Sequence, residues 1–279
     1  MPAQNLPGLV LDRAHPLSRG LVLWLPMNEG AGIRVNDISG IGNHGTLTNV
    51  SPGPTSGWSG GPTGSAIRFD GSNDYITVPH SPTLALVGDM SISVWMFFTT
   101  AAVYKMLVSK NTTNIARPFD YYVRGVAADG LPLFLRGNGS SSASVAGTIA
   151  PAANRWNQLA VTMQGTSVSH YLNGGPSGSG TLSTTIADNG DPVRIGARAD
   201  GFTGDCFIAS TRIYNRALSA AEVAQLYADP LAGAIAPVRA SRYYTAPTAD
   251  PPAVPTRPLS ADRLNNRTFA RNWRRGETG

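Results

Sequence analysis

Ile92, Val94, Met96 and Phe98 alternate with Ser91, Ser93 and Trp95, the two-residue period of a half-buried strand. Leu21–Leu25 and residues 106–110, 119–124 and 131–136 read as further strands, separated by polar and Gly-containing turns. The clearest hairpin joins residues 156–164 to 168–173 through Gly165-Thr166. A second is predicted around Asp70-Gly71, with Ile67 and Phe69 on one arm and Tyr75, Ile76 and Val78 on the other. Residues 36–49, tight at Asn43-His44-Gly45, read as a loop, as do 51–64 around Trp58 and 138–146.

The period changes only once, near the end of the patterned region. Residues 207–214 mix apolar, β-branched and aromatic side chains and form a last strand, reached through 193–196 and Gly204. Ser219 then stands three residues before Glu222, a capping box that satisfies otherwise orphaned helix N–H groups. Leu218 and Val223 are spaced as a hydrophobic staple across that cap, and Val223, Leu226 and Tyr227 share one helical face. Pro230 stops the helix. Roughly a dozen short strands and one short helix make an all-β, two-sheet antiparallel jelly-roll sandwich the expected architecture.

Composition sharpens the boundaries. Gly (31) and Pro (21) supply the punctuation that many short strands need. Cys206 is the single cysteine, so no intrachain disulfide can form. No apolar run approaches the ~18–20 residues of a membrane span, which argues against a membrane partner. Residues 1–20 lack the charged start and apolar middle of a signal peptide, so synthesis in a cytoplasm without export is expected. The net charge of +5 is not spread evenly: residues 231–279 hold 8 Arg and 3 acids, which leaves 1–230 neutral. Residues 1–19 are expected as an extended N-terminal arm, 20–230 as the sandwich, and 231–279 as a Pro/Arg-rich extended C-terminal arm.

Four blocks, in order, resemble laminin-G-like domains of the concanavalin A-like lectin/glucanase jelly-roll family. They are GLVLWLPMNEGAG…NDISGIGNHGTLTN from Gly20 to Asn49, AIRFDGSNDYITVP from Ala66, WNQLAVTMQGTSVSHYLNG from Trp156, and RIYNRALS from Arg212. The resemblance covers roughly residues 20–227, and it implies an architecture before any function.

That family also hosts glycosidases with paired carboxylates in an E-x-D-x-x-E strand pattern, which is missing here. The three glutamates are Glu29, Glu222 and Glu277, and His15, His44, His80 and His170 fall on different segments, so catalytic residues are not expected and the protein reads as non-enzymatic. Calcium is the family's common ligand, and Asp70 and Asp74 sit where it places acidic loop residues. Against calcium, Ala209 and Ser210 replace the acids of its closing strand, so no cofactor is expected. A sugar would need an exposed aromatic with polar neighbours; Trp58 is the candidate, ahead of Tyr104, Trp156 and Tyr121-Tyr122.

The C-terminal arm has the composition of a protein-binding segment, with Tyr243, Tyr244, Arg263, Arg267, Phe269, Arg271, Trp273 and Arg274 as contact candidates. Nucleic acid is the weaker partner, since the arginines are dispersed and interrupted by Pro. The favoured expectation is a non-catalytic structural protein of a large assembly, a bacteriophage virion decoration or adaptor protein, made in the host cytoplasm and contacting other subunits and copies of itself. The alternative is a carbohydrate-binding module that attaches to surface glycans.

Overall fold

The computed structural model describes residues 8–100, 105–111, 119–126, 130–137, 141–182, 188, 190–199, 201 and 203–235, with the backbone alone at 119–122 and 125–126. In chain order the first strands are β1 (Val10–Leu11), β2 (Leu21–Leu25), β3 (Arg34–Val35), β4 (Gly45–Thr48), β5 (Gly57–Gly61) and β6 (Gly64–Asp70). Next come β7 (Tyr75–Val78), β8 (Met90–Phe97), β9 (Lys105–Asn111), β10 (Phe119–Val126), β11 (Leu133–Gly137) and β12 (Ser142–Ala146). The chain continues through β13 (Trp156–Gln164), β14 (Ser167–Leu172), β15 (Gly175–Thr181), β16 (Val193–Ile195), β17 (Asp205–Tyr214), helix α1 (Ala220–Ala228) and β18 (Ala234–Ile235).

One sheet runs β12-β11-β10-β9-β16-β7-β4-β3 and the other β15-β14-β13-β8-β17-β6-β5, all antiparallel. Strand β17 organises the second sheet. One edge lies along β8; the other pairs with β6 over residues 205–208 and with β2 over 211–214. The change of partner coincides with an extra residue in β17, where Ile208 and Thr211 oppose Met96 and Val94. Such a bulge re-aims the side chains that follow it. Ser210, in the bulge, accepts a hydrogen bond from the Trp24 indole at 3.0 Å.

The main core lies between the sheets and includes Leu23, Leu25, Ile67, Phe69, Ile76, Ile92, Val94, Val108, Phe134, Val161, Ile195, Ile208 and Ile213. A second core covers the outer face of the β17 sheet. There Leu9, Leu17, Trp24, Tyr171, Tyr214, Leu218, Val223, Leu226, Leu231 and Ala232 pack together with α1. Strand β8 is therefore buried on both faces along residues 90–96, rather than half-exposed as its alternation suggests. Its outward Trp95 stacks on Tyr227 of α1, with ring centroids 5.6 Å apart and planes at 12°.

The helix forms as its sequence dictates. Ser219 Oγ accepts from Glu222 N–H, Glu222 Oε2 accepts from Ser219 N–H at 2.9 Å, and Leu218 and Val223 are both buried. Arg216 adds a two-pronged ion pair to Glu222 at 2.6 and 3.0 Å. That pair holds the Glu222 carboxyl below its ordinary range, while burial opposes it, and the hydrogen bonds from Ser219 lower it further.

Other expectations need correction. The segment around Asp70-Gly71 is not a hairpin: β6 pairs with β17 and β5, whereas β7 crosses to the other sheet and pairs with β4 and β16. Within the supposed loops, residues 45–48, 57–61 and 142–146 are strands. The N-terminal segment turns back from Leu9, with Leu17 buried in a short 3-10 turn over Pro16–Ser18. Beyond residue 230, Leu231 and Ala232 are buried and β18 pairs with β1.

The Asn/Gly-rich segment after β3 does specific work at the free edge of β2. Asp37 Oδ1 accepts from the N–H groups of Trp24 and Ser39, and Oδ2 from Gly42 N–H, Asn43 N–H and the Ser39 hydroxyl, all within 3.1 Å. Ile38 N–H and Asn43 Nδ2 then bond the Trp24 and Val22 carbonyls. An unpaired strand edge is covered this way, by side chains in place of another strand.

Candidate functional site

Strands β3 and β5 are the last in their sheets, and the candidate site lies where Trp58 of β5 bonds Gly32 in the loop before β3. Strand β5 pairs with β6 through the Pro62-Thr63 turn, with Gly61 opposite Gly64. That turn is tied to the chain leaving β2, because the Thr63 hydroxyl donates to the Pro26 carbonyl at 3.0 Å and the Ser65 hydroxyl to the Met27 carbonyl. Met27 is fully buried with φ +54, a left-handed conformation that costs a side chain about 1–2 kcal/mol. The anchored Pro26 and Met27 carbonyls hold it there, and the turn directs the following residues outward into the 29–32 loop.

The cleft lies between that loop and β5. It has a volume of ≈ 370 Å³ and is lined by Glu29, Gly30, Ala31, Trp58, Ser59, Gly60 and Ser65. Trp58 is half-buried, with its inner part against the main core. Its Nε1–H donates to the Gly32 carbonyl at 2.9 Å, so the ring is fixed to the opposite wall and its polar group is already used. Glu29 Oε1 accepts from Asn36 N–H at 2.7 Å and Asn36 Nδ2 at 3.0 Å, which orients the carboxylate. Trp58 and Gly60 fall on one face of β5 by alternation, and a Cβ built on Gly60 would meet open space. The arrangement is a rigid aromatic surface and an open floor.

Trp58 and Glu29 thus line one cleft, although nothing in the sequence marked Glu29 beyond its place in a loop. Tyr104, Tyr243, Tyr244, Arg263, Arg267, Phe269, Arg271, Trp273 and Arg274 lie outside the described residues, as do the side chains of Tyr121 and Tyr122. Trp156 is half-buried against Phe97, with centroids 5.8 Å apart at 51°, and Phe97 meets Phe207 edge-on at 87°. Rings tilted against one another in this way make a packing ladder across the sheet rather than a coplanar stacking surface.

The acids that the family resemblance would offer to calcium are engaged within the fold. Asp74 is buried, and its Oδ2 accepts from the Ser56 hydroxyl at 2.6 Å and Asp70 N–H at 3.1 Å, while Asp70 Oδ1 accepts from Ser72 N–H. Ala209 is fully buried and Ser210 is bonded to Trp24. Asp70 and Asp74 are thereby occupied in shaping the approach to β5, and among the described residues no three carboxylate, His or Cys groups converge. These residues do not fit a calcium site.

Two other features compete with the Trp58 cleft. A second cleft of ≈ 530 Å³ lies among residues 20–22, Ile41, 82–89 and Asn215, but it has no aromatic wall. Two of its polar groups are bonded within the fold, Thr83 Oγ1 to Asn43 and Asp89 Oδ1 to Gly165 N–H. Elsewhere, the fully buried Lys110 ammonium is paired with Asp188, and His80 Nε2 lies 3.7 Å from the same carboxylate. Burial raises the Asp191 carboxyl nearby, against the pull of Lys110 and Arg194.

Comparison with known proteins agrees with this fold. A family model described as the concanavalin A-like lectin/glucanases superfamily matches residues 70–224, more than half of the chain. No curated protein sequence matches. Among solved structures, the binding domain of Paraclostridial Mosquitocidal Protein 1 is similar at 18% identity and TM-score 0.59, covering 77% of this chain and 53% of that one. Domain 4 of AbnA, a GH43 extracellular arabinanase from Geobacillus stearothermophilus solved with arabinotriose, aligns at 19% identity and TM-score 0.58, covering 74% of this chain and 98% of that one. Trypanosoma rangeli sialidase in complex with sialic acid aligns at 14% identity and TM-score 0.54 over 75% of this chain and 32% of its own. This chain therefore spans about half the length of the first and a third of the last. At these identities the likenesses establish the fold alone.

Proposed function

The chain belongs to the concanavalin A-like lectin/glucanase superfamily, and from that we propose that it is a saccharide-binding module whose ligand stacks on Trp58. The observation that carries this reading is the half-buried indole, held by its own N–H beside a cleft with an open floor at Gly60. A pyranose or furanose presents an apolar C–H face, which the indole suits. Among the described residues Glu29 is the single carboxylate lining the cleft, which favours binding over hydrolysis, since glycoside hydrolysis uses two. The arabinotriose bound to AbnA domain 4 and the binding domains among the similar structures lend weight to the same class of ligand.

Two variants test it against a glycan array. Trp58→Ala removes the stacking surface and should weaken binding by about 2 kcal/mol, roughly thirtyfold. Gly60→Leu puts a side chain into the open floor and should abolish binding with the fold intact. Full retention of binding by both variants would refute the reading.

A second reading concerns where the module sits. All of the excess positive charge falls in residues 231–279, which supports anchoring of the module in a larger protein assembly, such as a virion, through that segment. The partners would be other subunits, with nuclease unable to release the module. Deleting 236–279 should leave the sandwich folded and remove it from the assembly; unchanged incorporation would contradict the anchoring role.

A further inference from the structure

We infer that the main chain of β5 makes the polar contacts to the ligand of this cleft, with the Gly60 N–H and C=O meeting the hydroxyls of an oligosaccharide laid along the strand. This rests on the saccharide-binding reading and deepens it. Three observations lead there.

The first is a glycine that the fold does not need. Gly60 lies outside the left-handed region, and a Cβ built on it would meet nothing within 4 Å. Its neighbour Gly61 differs, since a Cβ there would fall 2.6 Å from the Ser65 carbonyl oxygen. Glycine weakens a strand, and where neither backbone nor packing requires one, it marks the close approach of a ligand or another backbone.

The second is the free edge. Strand β5 ends its sheet and pairs with β6 alone among the described residues. Across the two-residue Pro62-Thr63 turn, Gly61 and Gly64 form a hydrogen-bonded pair, and the antiparallel ladder alternates from there. Gly57, Ser59 and Gly61 thus spend their N–H and C=O groups on β6. Those of Trp58 and Gly60 point the other way, off the edge, and no described residue bonds to them.

The third is that these same two residues line the cleft. The indole and the unpaired backbone groups therefore share one stretch of strand, about 7 Å long. Two side-chain donors of the lining are committed, Trp58 Nε1–H to Gly32 and the Ser65 hydroxyl to Met27, which leaves polar recognition to the backbone. A hydroxyl both donates and accepts, so a row of sugar hydroxyls satisfies C=O and N–H in turn while a C–H face rests on the indole. An extended peptide could pair with such an edge too, but it does not bring that face to Trp58.

Amide hydrogen exchange of the isotope-labelled protein reads this directly, with and without the tightest-binding oligosaccharide of the glycan array. Saturating ligand should slow exchange at Gly60 by about tenfold or more, while Ser59, already bonded to β6, changes little. Gly60→Pro removes the donor at an edge position where proline is tolerated, and should weaken binding by roughly tenfold. Gly60→Ala keeps the donor, adds one methyl to open space, and should bind within about threefold of wild type. The exchange measurement stands whether or not the proline variant folds. Unchanged Gly60 exchange at saturation would overturn the inference, as would equal binding by folded proline and alanine variants; Trp58-dependent binding would survive both results. Protection of Gly60 by an extended peptide and by no glycan would assign the edge to strand addition and overturn the inference as well. Glycan binding indifferent to Trp58 would instead overturn the saccharide-binding reading itself.

Discussion

Arg212 Cζ lies 3.5 Å from the centroid of the Trp24 ring, and the guanidinium reaches past that ring to donate to the Pro230 carbonyl at 2.6 Å and the Ala232 carbonyl at 2.7 Å. The Trp24 indole in turn donates to Ser210. One buried stack thus ties β2, the β17 bulge and the turn after α1 into a single unit. Burial pulls the Arg212 pKa down, with Tyr214 and Asp229 opposing, but a guanidinium stays charged throughout the ordinary pH range.

Arg212→Lys should therefore not be conservative. An ammonium cannot stack flat on Trp24 and serve two carbonyls in a fork, so a loss of about 2–3 kcal/mol is expected, close to that of Arg212→Ala. Urea unfolding measures it. A lysine variant within about 0.5 kcal/mol of wild type would show that the strap is incidental.

Asp37 carries five hydrogen bonds at the capped edge of β2, four of them from backbone N–H groups or the hydroxyl of the same loop and one from Trp24. Asp37→Ala leaves several buried donors without acceptors and should cost about 3 kcal/mol or more. Asp37→Asn, which retains one acceptor oxygen, should cost less. Equal stability of all three proteins in urea titration would contradict the edge-capping role.

Sequence reasoning succeeded here where the information is local, and failed where a distant partner decides. The capping box at Ser219 and Glu222, the turn at Gly165-Thr166 and the closing strand are written within a few residues each. The crossover after β6 is not: Phe69 and Ile76 alternate as hairpin arms would, and only the pairing of β6 with β17 and β7 with β16 separates them. GWSGG and GPSGSGT have turn composition, yet they form β5 and β15, because the neighbouring strands β6 and β14 offer edges to pair with. Trp58 could be singled out as a large aromatic in a polar segment. Glu29 could not, since its place beside Trp58 arises from the Met27 turn and the bond between Trp58 and Gly32.

Cys206 faces the main core with 1% exposure, and burial pushes its thiol up to about 12. The thiolate is the reactive form, so the native protein should leave a disulfide reagent unreacted over hours at pH 8 and titrate one thiol on unfolding. Rapid native labelling would contradict this burial.

His170 predicts how stability responds to acid. Burial lowers its pKa below 6.5, only partly offset by the bond between Nε2 and the Val145 carbonyl, 2.9 Å away on a strand of the other sheet. Above pH 6.5 neither state is protonated and the contribution is complete. As the pH falls through 6.5 toward the lower folded value, the unfolded chain takes up a proton that the folded one refuses, so stability declines. Melting temperatures between pH 7.5 and 5 should fall in the wild type and fall less in His170→Gln. Parallel curves for the two proteins would assign the acid sensitivity elsewhere.

The most direct test of the account follows the indole N–H resonances of the five tryptophans during titration with a neutral oligosaccharide from the array. Trp58 bonds Gly32 across the cleft, so its resonance should shift in proportion to occupancy. Those of Trp24, buried beneath Arg212, and Trp95, stacked on Tyr227, should stay in place. A saturable shift confined to Trp58 is the predicted result. Saturable binding that leaves the Trp58 resonance unmoved would place the ligand elsewhere and contradict the central claim.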